Sequence, residues 1–409
     1  MNDNEIVTNL NYFKNLKQLN HMVLSGGGLG GSYYIYFLDR ILSNKINVFD
    51  KTDTFTSNSV GSIITFLFIL QYTINDIKDI IDELAKIFNV NKLLSPSLTL
   101  LKLTSFTGSY FSSDRLRSLL EKYIRESPLN KNIKNYNLGL DEITPENLTI
   151  DLVNKIYPNK IFNFITFNLN KAKIEIFSST DIINKKANNM EDNKLNKLFD
   201  ITYTDCIIKN EVGKLIDIVL GSSAVPYYFN SQKIDSKCLN NKETNYYADG
   251  FLTGGNIPVL LGQKINDIIL EKSSNINNVI INNFVLTMQG IQNKKYIPKR
   301  GYKALFEFLD IIITYGSNFY TRVLSYDTAS KKYINNNRYL NLNYKGSSLN
   351  YNIYLKNKKE YFCNPENYFD YILNYKFPDI YLEKSKFDYF RSNSNKEWIE
   401  KYFNKSFQK

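Results

Sequence analysis

Residues 19–31 read LNHMVLSGGGLGG: six residues suited to a short buried strand run straight into a glycine-rich turn, and a helical pattern, SYYIYFLDRIL, follows over 32–42. The same order recurs at once. A second strand candidate spans Asp50 to Ser57, SNSVG (57–61) makes a tight turn, and Val60 to Tyr72 follows as a buried helix. Strand, turn and helix in alternation predict an α/β domain with a mostly parallel sheet. Farther along, residues 73–125 have amphipathic helical spacing, with Ser112 or Ser113 placed to cap SSDRLRSLLEKYIRE. Phe162 to Phe177 reads as a hairpin turning near Asn170-Lys171, and Val279 to Leu286 as another strand. The Asn/Lys-rich stretches 184–200 and 231–245 read as loops. Beyond about residue 300 no motif stands out, and a helical extension packed on the domain is expected.

The composition narrows the chemistry. With 409 residues, 43% of them hydrophobic, the chain can build one large domain with an appendage. Its single histidine, His21, excludes a multi-histidine metal site. Any Ser-His-Asp mechanism would have to run through His21, which sits in the first strand toward the end away from the glycines and reads as structural. Cys206, Cys238 and Cys363 are scattered and form no C-x-x-C pair, which suits a reducing compartment. The polar start MNDNEIVTNLNYFK has no secretory core, and the longest apolar run, IITFLFIL at 63–70, falls far short of the ~20 residues that span a bilayer. A cytoplasmic protein, or one peripheral to intracellular membranes, is expected. Lys and Arg number 51 against 40 Asp and Glu, a net charge of +11. Lys, Asn, Ile, Tyr and Phe all have A/T-rich codons and are abundant together, so codon composition explains the charge, and no nucleic-acid partner is expected. The basic, tyrosine-rich stretch 300–409 is a candidate membrane-facing segment.

Four constellations could carry chemistry. Ser25-Gly26-Gly27-Gly28-Leu29-Gly30-Gly31 lies between a strand and a helix, where glycines free several backbone N–H groups to face an anion. That anion is either a phosphate or the oxyanion of acyl transfer. Gly26, Gly28 and Gly31 also fit G-x-G-x-x-G with Asp50 as ribose-binding acid, so a dinucleotide reading stays open here. In Ser57-Asn58-Ser59-Val60-Gly61, a serine on a sharp strand-to-helix turn has small neighbours two positions either side, the logic of a nucleophile elbow. Tyr247-Ala248-Asp249-Gly250, followed by Asn256-Ile257-Pro258, places an aspartate at a strand end. Gly221-Ser222-Ser223-Ala224-Val225-Pro226, with Phe229 behind it, suggests a tightly packed helix end.

In this order the four elements resemble the patatin-like phospholipase family. LSGGG-x-x-G matches its glycine loop and SNSVG its elbow, while GSSAVPYYF and ADG with N-x-P match its two later segments. The resemblance covers 19–290, taken as the patatin-like domain, and leaves 291–409 as an unassigned C-terminal extension. It implies a three-layer α/β/α fold and a lipid acyl hydrolase acting on phospholipid or acylglycerol, with possible peripheral membrane association and no cofactor or metal. Carried over by position, Ser59 is the nucleophile and Asp249 the proton acceptor, with Gly250 completing the Asp-Gly motif. Gly26, Gly27, Gly28, Gly30 and Gly31 form the oxyanion loop, and Ser57 and Gly61 flank the elbow. A carboxylate is a weaker base than imidazole, so Asp249 must lie close to Ser59 and be shielded from water. Three positions depart from the family: Gly30 stands where a Lys or Arg is usual, Ser57 replaces the first elbow glycine, and Phe251 replaces a small residue. These departures keep a second function in view, a catalytically degenerate lipid or membrane-surface binding protein on the same fold.

Overall fold

The computed structural model describes residues 19–42, 48–88, 113–171, 173–179, 201–203, 213–226, 228–238, 241–250, 281–289, 335–343, 351–352, 354–356, 358 and 369–373. Its strands are β1 (Leu19–Leu24), β2 (Thr52–Ser57), β3 (Ile161–Asn168), β4 (Lys173–Ser178), β5 (Ile201–Tyr203), β6 (Gln232–Cys238), β7 (Asn241–Asp249), β8 (Ile281–Gln289), β9 (Asn335–Asn343) and β10 (Phe369–Leu373). They form one ten-stranded sheet, ordered β10-β9-β8-β1-β2-β3-β4-β5, with β7 joining β3 and β6 joining β7. From β9 through β8, β1 and β2 to β3 every neighbour is parallel. The β3–β4, β3–β7, β6–β7 and β9–β10 pairings are antiparallel. This is the mixed, mostly parallel sheet with flanking helices that the alternation predicts.

The helices that position the site are α1 (Tyr33–Leu42), α2 (Val60–Ile69), α3 (Ile74–Ala85), α4 (Ser113–Glu126), α5 (Ile150–Ile156) and α6 (Leu215–Ser222). Large apolar residues fill most of α2, Ser62 and Thr65 are its only polar ones, and all from Gly61 to Ile69 are buried. A helix apolar all round has no solvent face to present, so it lies against β1 and β2 as an interior rod. On α3 the apolar residues keep to one stripe, Ile77, Ile80, Ile81 and Leu84, and a Thr73–Asp76 capping box fixes its start. Beneath the sheet start, Phe49, Phe55 and Phe162 stack, with ring centroids 5.7 Å and 5.5 Å apart along the series. Lys160 Nζ closes this end by donating to the carbonyls of Phe49, Asp50 and Thr52 at 2.7, 3.2 and 2.8 Å.

Two segments differ from the sequence expectation. Much of 231–245 is the β6–β7 hairpin, paired from Gln232↔Tyr247 to Cys238↔Asn241, where a loop was expected. Its residues are mostly polar, so the apolar alternation that marks a half-buried strand is missing, and backbone pairing carries the ladder. In the tail, helical residues 351–352 and 354–356 accompany two strands, β9 and β10, that extend the sheet. The expected loop at 184–200, Phe251 and Asn256–Pro258 lie outside the described residues.

Candidate active site

The parallel register sets the frame. Leu24 pairs with Ser57, so β1 and β2 end level with each other, while β3, whose Phe164 pairs with Ser57, runs on to Asn168. The glycine loop leaves β1 there and the SNSVG turn leaves β2 beside it. Gly28–Gly31 forms a single helical turn, with Gly28 at φ 53° and the Gly31 N–H bonded to the Gly27 carbonyl at 3.0 Å. Gly30 lies buried within that turn. Asp50 falls at the other edge, before β2 begins at Thr52, so the dinucleotide reading loses its acid: a ribose-binding residue belongs at the strand ends that carry the glycines.

Ser59 sits between β2 and α2 with φ 54° and ψ −131°. That left-handed φ is uncommon for a residue with a Cβ, and such strain gathers at functional turns. Its neighbours explain the turn. A Cβ on Gly61 would run into the carbonyl oxygen of Leu24, so only glycine lets α2 approach the end of β1 this closely. Ser57, the departure two positions before, is fully buried, with Oγ 3.4 Å from both the Asn163 carbonyl and Ser62 Oγ. Its side chain is accommodated among hydroxyls. Ser62 Oγ lies 2.8 Å from Ser222 Oγ, and Ser222 Oγ donates to the Ile165 carbonyl at 2.6 Å.

Asp249 ends β7 opposite Thr166 of β3 and is 1% exposed, against 4% for Ser59. Both residues are held by the end of α6. The Ser59 N–H donates to the Ser222 carbonyl at 3.0 Å and the Asp249 N–H to the Ala224 carbonyl at 2.9 Å. Residues 190 positions apart in sequence thus hang from carbonyls two residues apart. Gly250 follows where a Cβ would come within 2.5 Å of the Ile165 carbonyl oxygen, another position that space reserves for glycine.

His21 is fully buried in β1, with Nε2 2.8 Å from Thr56 Oγ1, in register with Thr54 and away from the strand ends that carry the glycine turn. Three residues at the site escaped the sequence reading as contributors. The sequence marks Asn58 only as a filler of the elbow, Tyr34 only as helix, and Ser62 only as part of the buried helix expected over Val60–Tyr72. The signal for Asn58 was its place between the strand and the serine; Tyr34 and Ser62 carried none. Among the described residues no group of three or more His, Cys, Asp and Glu could hold a metal ion, and no helix is long and apolar enough to cross a membrane.

A family model described as Patatin-like phospholipase matches residues 22–261. No curated protein matches the chain. Among solved structures, VipD from Legionella pneumophila is similar over 87% of this chain and 68% of its own, at 14% identity and a TM-score of 0.40. The heterodimeric ExoU-SpcU complex of the Pseudomonas aeruginosa type III secretion system is similar over 40% of this chain and 33% of its own, at 16% identity and a TM-score of 0.26. The complex of full-length SpcU with full-length ExoU is similar over 75% of this chain and 53% of its own, at 12% identity and a TM-score of 0.29.

Proposed function

Since the chain belongs to the patatin-like phospholipase family, we propose that it hydrolyses acyl esters of phospholipids or acylglycerols with Ser59 as nucleophile and Asp249 as general base. Ser59 Oγ attacks the ester carbonyl while its proton passes to the Asp249 carboxylate. The tetrahedral intermediate places its negative oxygen against backbone N–H groups of the loop, Gly27 and Gly28 foremost, and Gly26, Gly30 and Gly31 shape that loop. Collapse expels the alcohol, which takes the proton from Asp249 and leaves an acyl-enzyme. Water then attacks the acyl carbon, giving its proton to Asp249, and Ser59 is restored with release of the fatty acid. Ser57, Gly61 and Gly250 keep the two strand ends at the spacing this requires.

The observation that carries the reading is the shared support of Ser59 and Asp249 on Ser222 and Ala224, with Ser59 alone in its turn at positive φ. Near-complete burial of Asp249 means little bulk water competes for the proton. The substrate is a lipid presented at a membrane surface to a chain bound there peripherally. The test is fatty-acid release from phosphatidylcholine and diacylglycerol dispersions by the wild type, Ser59→Ala and Asp249→Asn, together with labelling by a fluorophosphonate. Labelling at Ser59 and loss of release in both variants support the dyad. Lipid binding with neither labelling nor release would leave the degenerate binding protein in its place.

A further inference from the structure

The geometry points to Asn58 and Tyr34 as positioning residues that clamp Gly26 from both sides and so aim the oxyanion donors; this rests on the Ser59–Asp249 reading above. The Gly26 N–H donates to Asn58 Oδ1 at 2.7 Å, and the Gly26 carbonyl accepts from the Tyr34 hydroxyl at 3.3 Å. Both contacts are buried. The carbonyl of Gly26 and the N–H of Gly27 belong to one planar trans peptide and point in opposite directions. Fixing the Gly26 oxygen toward Tyr34 therefore fixes the Gly27 N–H to face the other way. Three successive glycines cannot hold that peptide themselves, because glycine populates positive and negative φ about equally. A flipped Gly26–Gly27 peptide would offer a carbonyl oxygen where the intermediate needs a donor.

Asn58 is well suited to anchor the loop to the nucleophile. It adjoins Ser59, and its own backbone is held at both ends: the Asn58 N–H donates to the Leu24 carbonyl at 3.3 Å, and its carbonyl accepts from the Gly61 N–H at 3.0 Å. The side chain is fully buried. Its amide orientation follows from chemistry, since Oδ1 must face the Gly26 donor. That orientation leaves Nδ2 buried with no hydrogen-bond partner among the described residues. An unpartnered buried donor costs stability that alanine or serine would not incur, so the bond to Gly26 offsets it. Because the Gly26 N–H is engaged by Asn58, the oxyanion falls to the donors that follow it. The short Asn58 contact is the stronger half of the clamp and the longer Tyr34 contact the weaker. Burial raises the Tyr34 hydroxyl well above the ordinary phenol range, which keeps it a donor throughout the working pH range.

The experiment uses the full chain with a p-nitrophenyl acyl ester, counting active sites by fluorophosphonate labelling so that kcat is per competent Ser59. Asn58→Ala is expected to lower kcat about 10–100-fold and Tyr34→Phe about 3–10-fold, each with KM within about twofold. The fluorophosphonate inactivation rate falls in parallel, because the phosphonyl oxygen uses the same donors. The double variant is expected to lose less than the product of the two, since both release one peptide. A purely structural role would instead lower Tm and the labelled fraction, leave kcat per labelled site unchanged, and overturn the clamp. If Asn58→Ala does not fold, Tyr34→Phe, which removes one oxygen and keeps the ring, decides alone: unchanged kcat overturns the proposal. Ser59→Ala separates the two readings. If it abolishes turnover while the clamp variants keep theirs, only the clamp fails; if it retains turnover, the dyad falls and the clamp with it.

Discussion

At Ser59 the backbone takes φ 54° and ψ −131°, a conformation that costs a residue with a Cβ about 1–3 kcal/mol. Glycine adopts it freely, whereas alanine keeps the strain and loses only the hydroxyl. Ser59→Gly is therefore expected to be more stable than Ser59→Ala by about 1 kcal/mol, read from urea midpoints, while neither releases fatty acid. Gly61 marks the opposite case. A methyl there meets the Leu24 carbonyl oxygen, which belongs to the central strand and cannot turn aside. Gly61→Ala is expected to destabilise by about 2 kcal/mol or more, or to prevent folding, as judged by circular dichroism and yield. At this scale much of the candidate site was legible, because SNSVG and SGGGLGG keep small residues where backbones approach closely. The hydroxyl chain of Ser57, Ser62 and Ser222 was not. Its members are separated by up to 165 positions, and nothing in a serine's local context announces a partner so far away.

Among the elements, α3 owes its start to Thr73, whose side chain accepts from the Asp76 N–H while Asp76 returns a bond to the Thr73 N–H. Thr73→Ala is expected to cost about 1 kcal/mol of stability in urea denaturation and to leave hydrolysis per active site unchanged. Lys160 acts at the opposite sheet edge from the glycines, where its ammonium bonds three carbonyls around the entry to β2. Lys160→Met removes all three donors together with the ammonium that lies 5.0 Å from the Phe49 ring centroid, and a loss of about 1–3 kcal/mol is expected in the same measurement. Strands β1 and β2 were visible in sequence because short segments with buried side chains end at turn-forming residues. The β6–β7 hairpin and β9 were hidden for the converse reason. QKIDSKC, NKETNYYAD and NNNRYLNLN are rich in Asn, Lys and Glu, so no period-2 apolar pattern separates them from loops.

For the molecule as a whole, the family match ends at residue 261, yet the sheet continues. Strand β8 pairs directly with β1, the strand that leads to the glycine loop, and β9 and β10 add beyond it. The tail also grips the helices. Tyr354 stacks on Tyr33 at 5.4 Å, donates to Asp82 at 2.7 Å and accepts at its carbonyl from the Tyr33 hydroxyl at 2.8 Å, while Lys358 pairs with the same aspartate. Tyr354→Ala removes a buried ring in a region the family match does not reach, and a loss of about 3–5 kcal/mol is expected, seen as a lower Tm of the full chain. Tyr33 sits on α1 beside Tyr34, so loosening the tail also softens the helix that approaches the glycine loop. The support at the end of α6 bears on behaviour under heat. Ser59 and Asp249 both bond to carbonyls at one helix terminus, and Asp249 is also paired with β3, so warming is expected to displace them together until that terminus frays. Heat inactivation and heat unfolding are therefore expected to follow one curve, without the earlier loss of activity typical of sites assembled from independently moving loops.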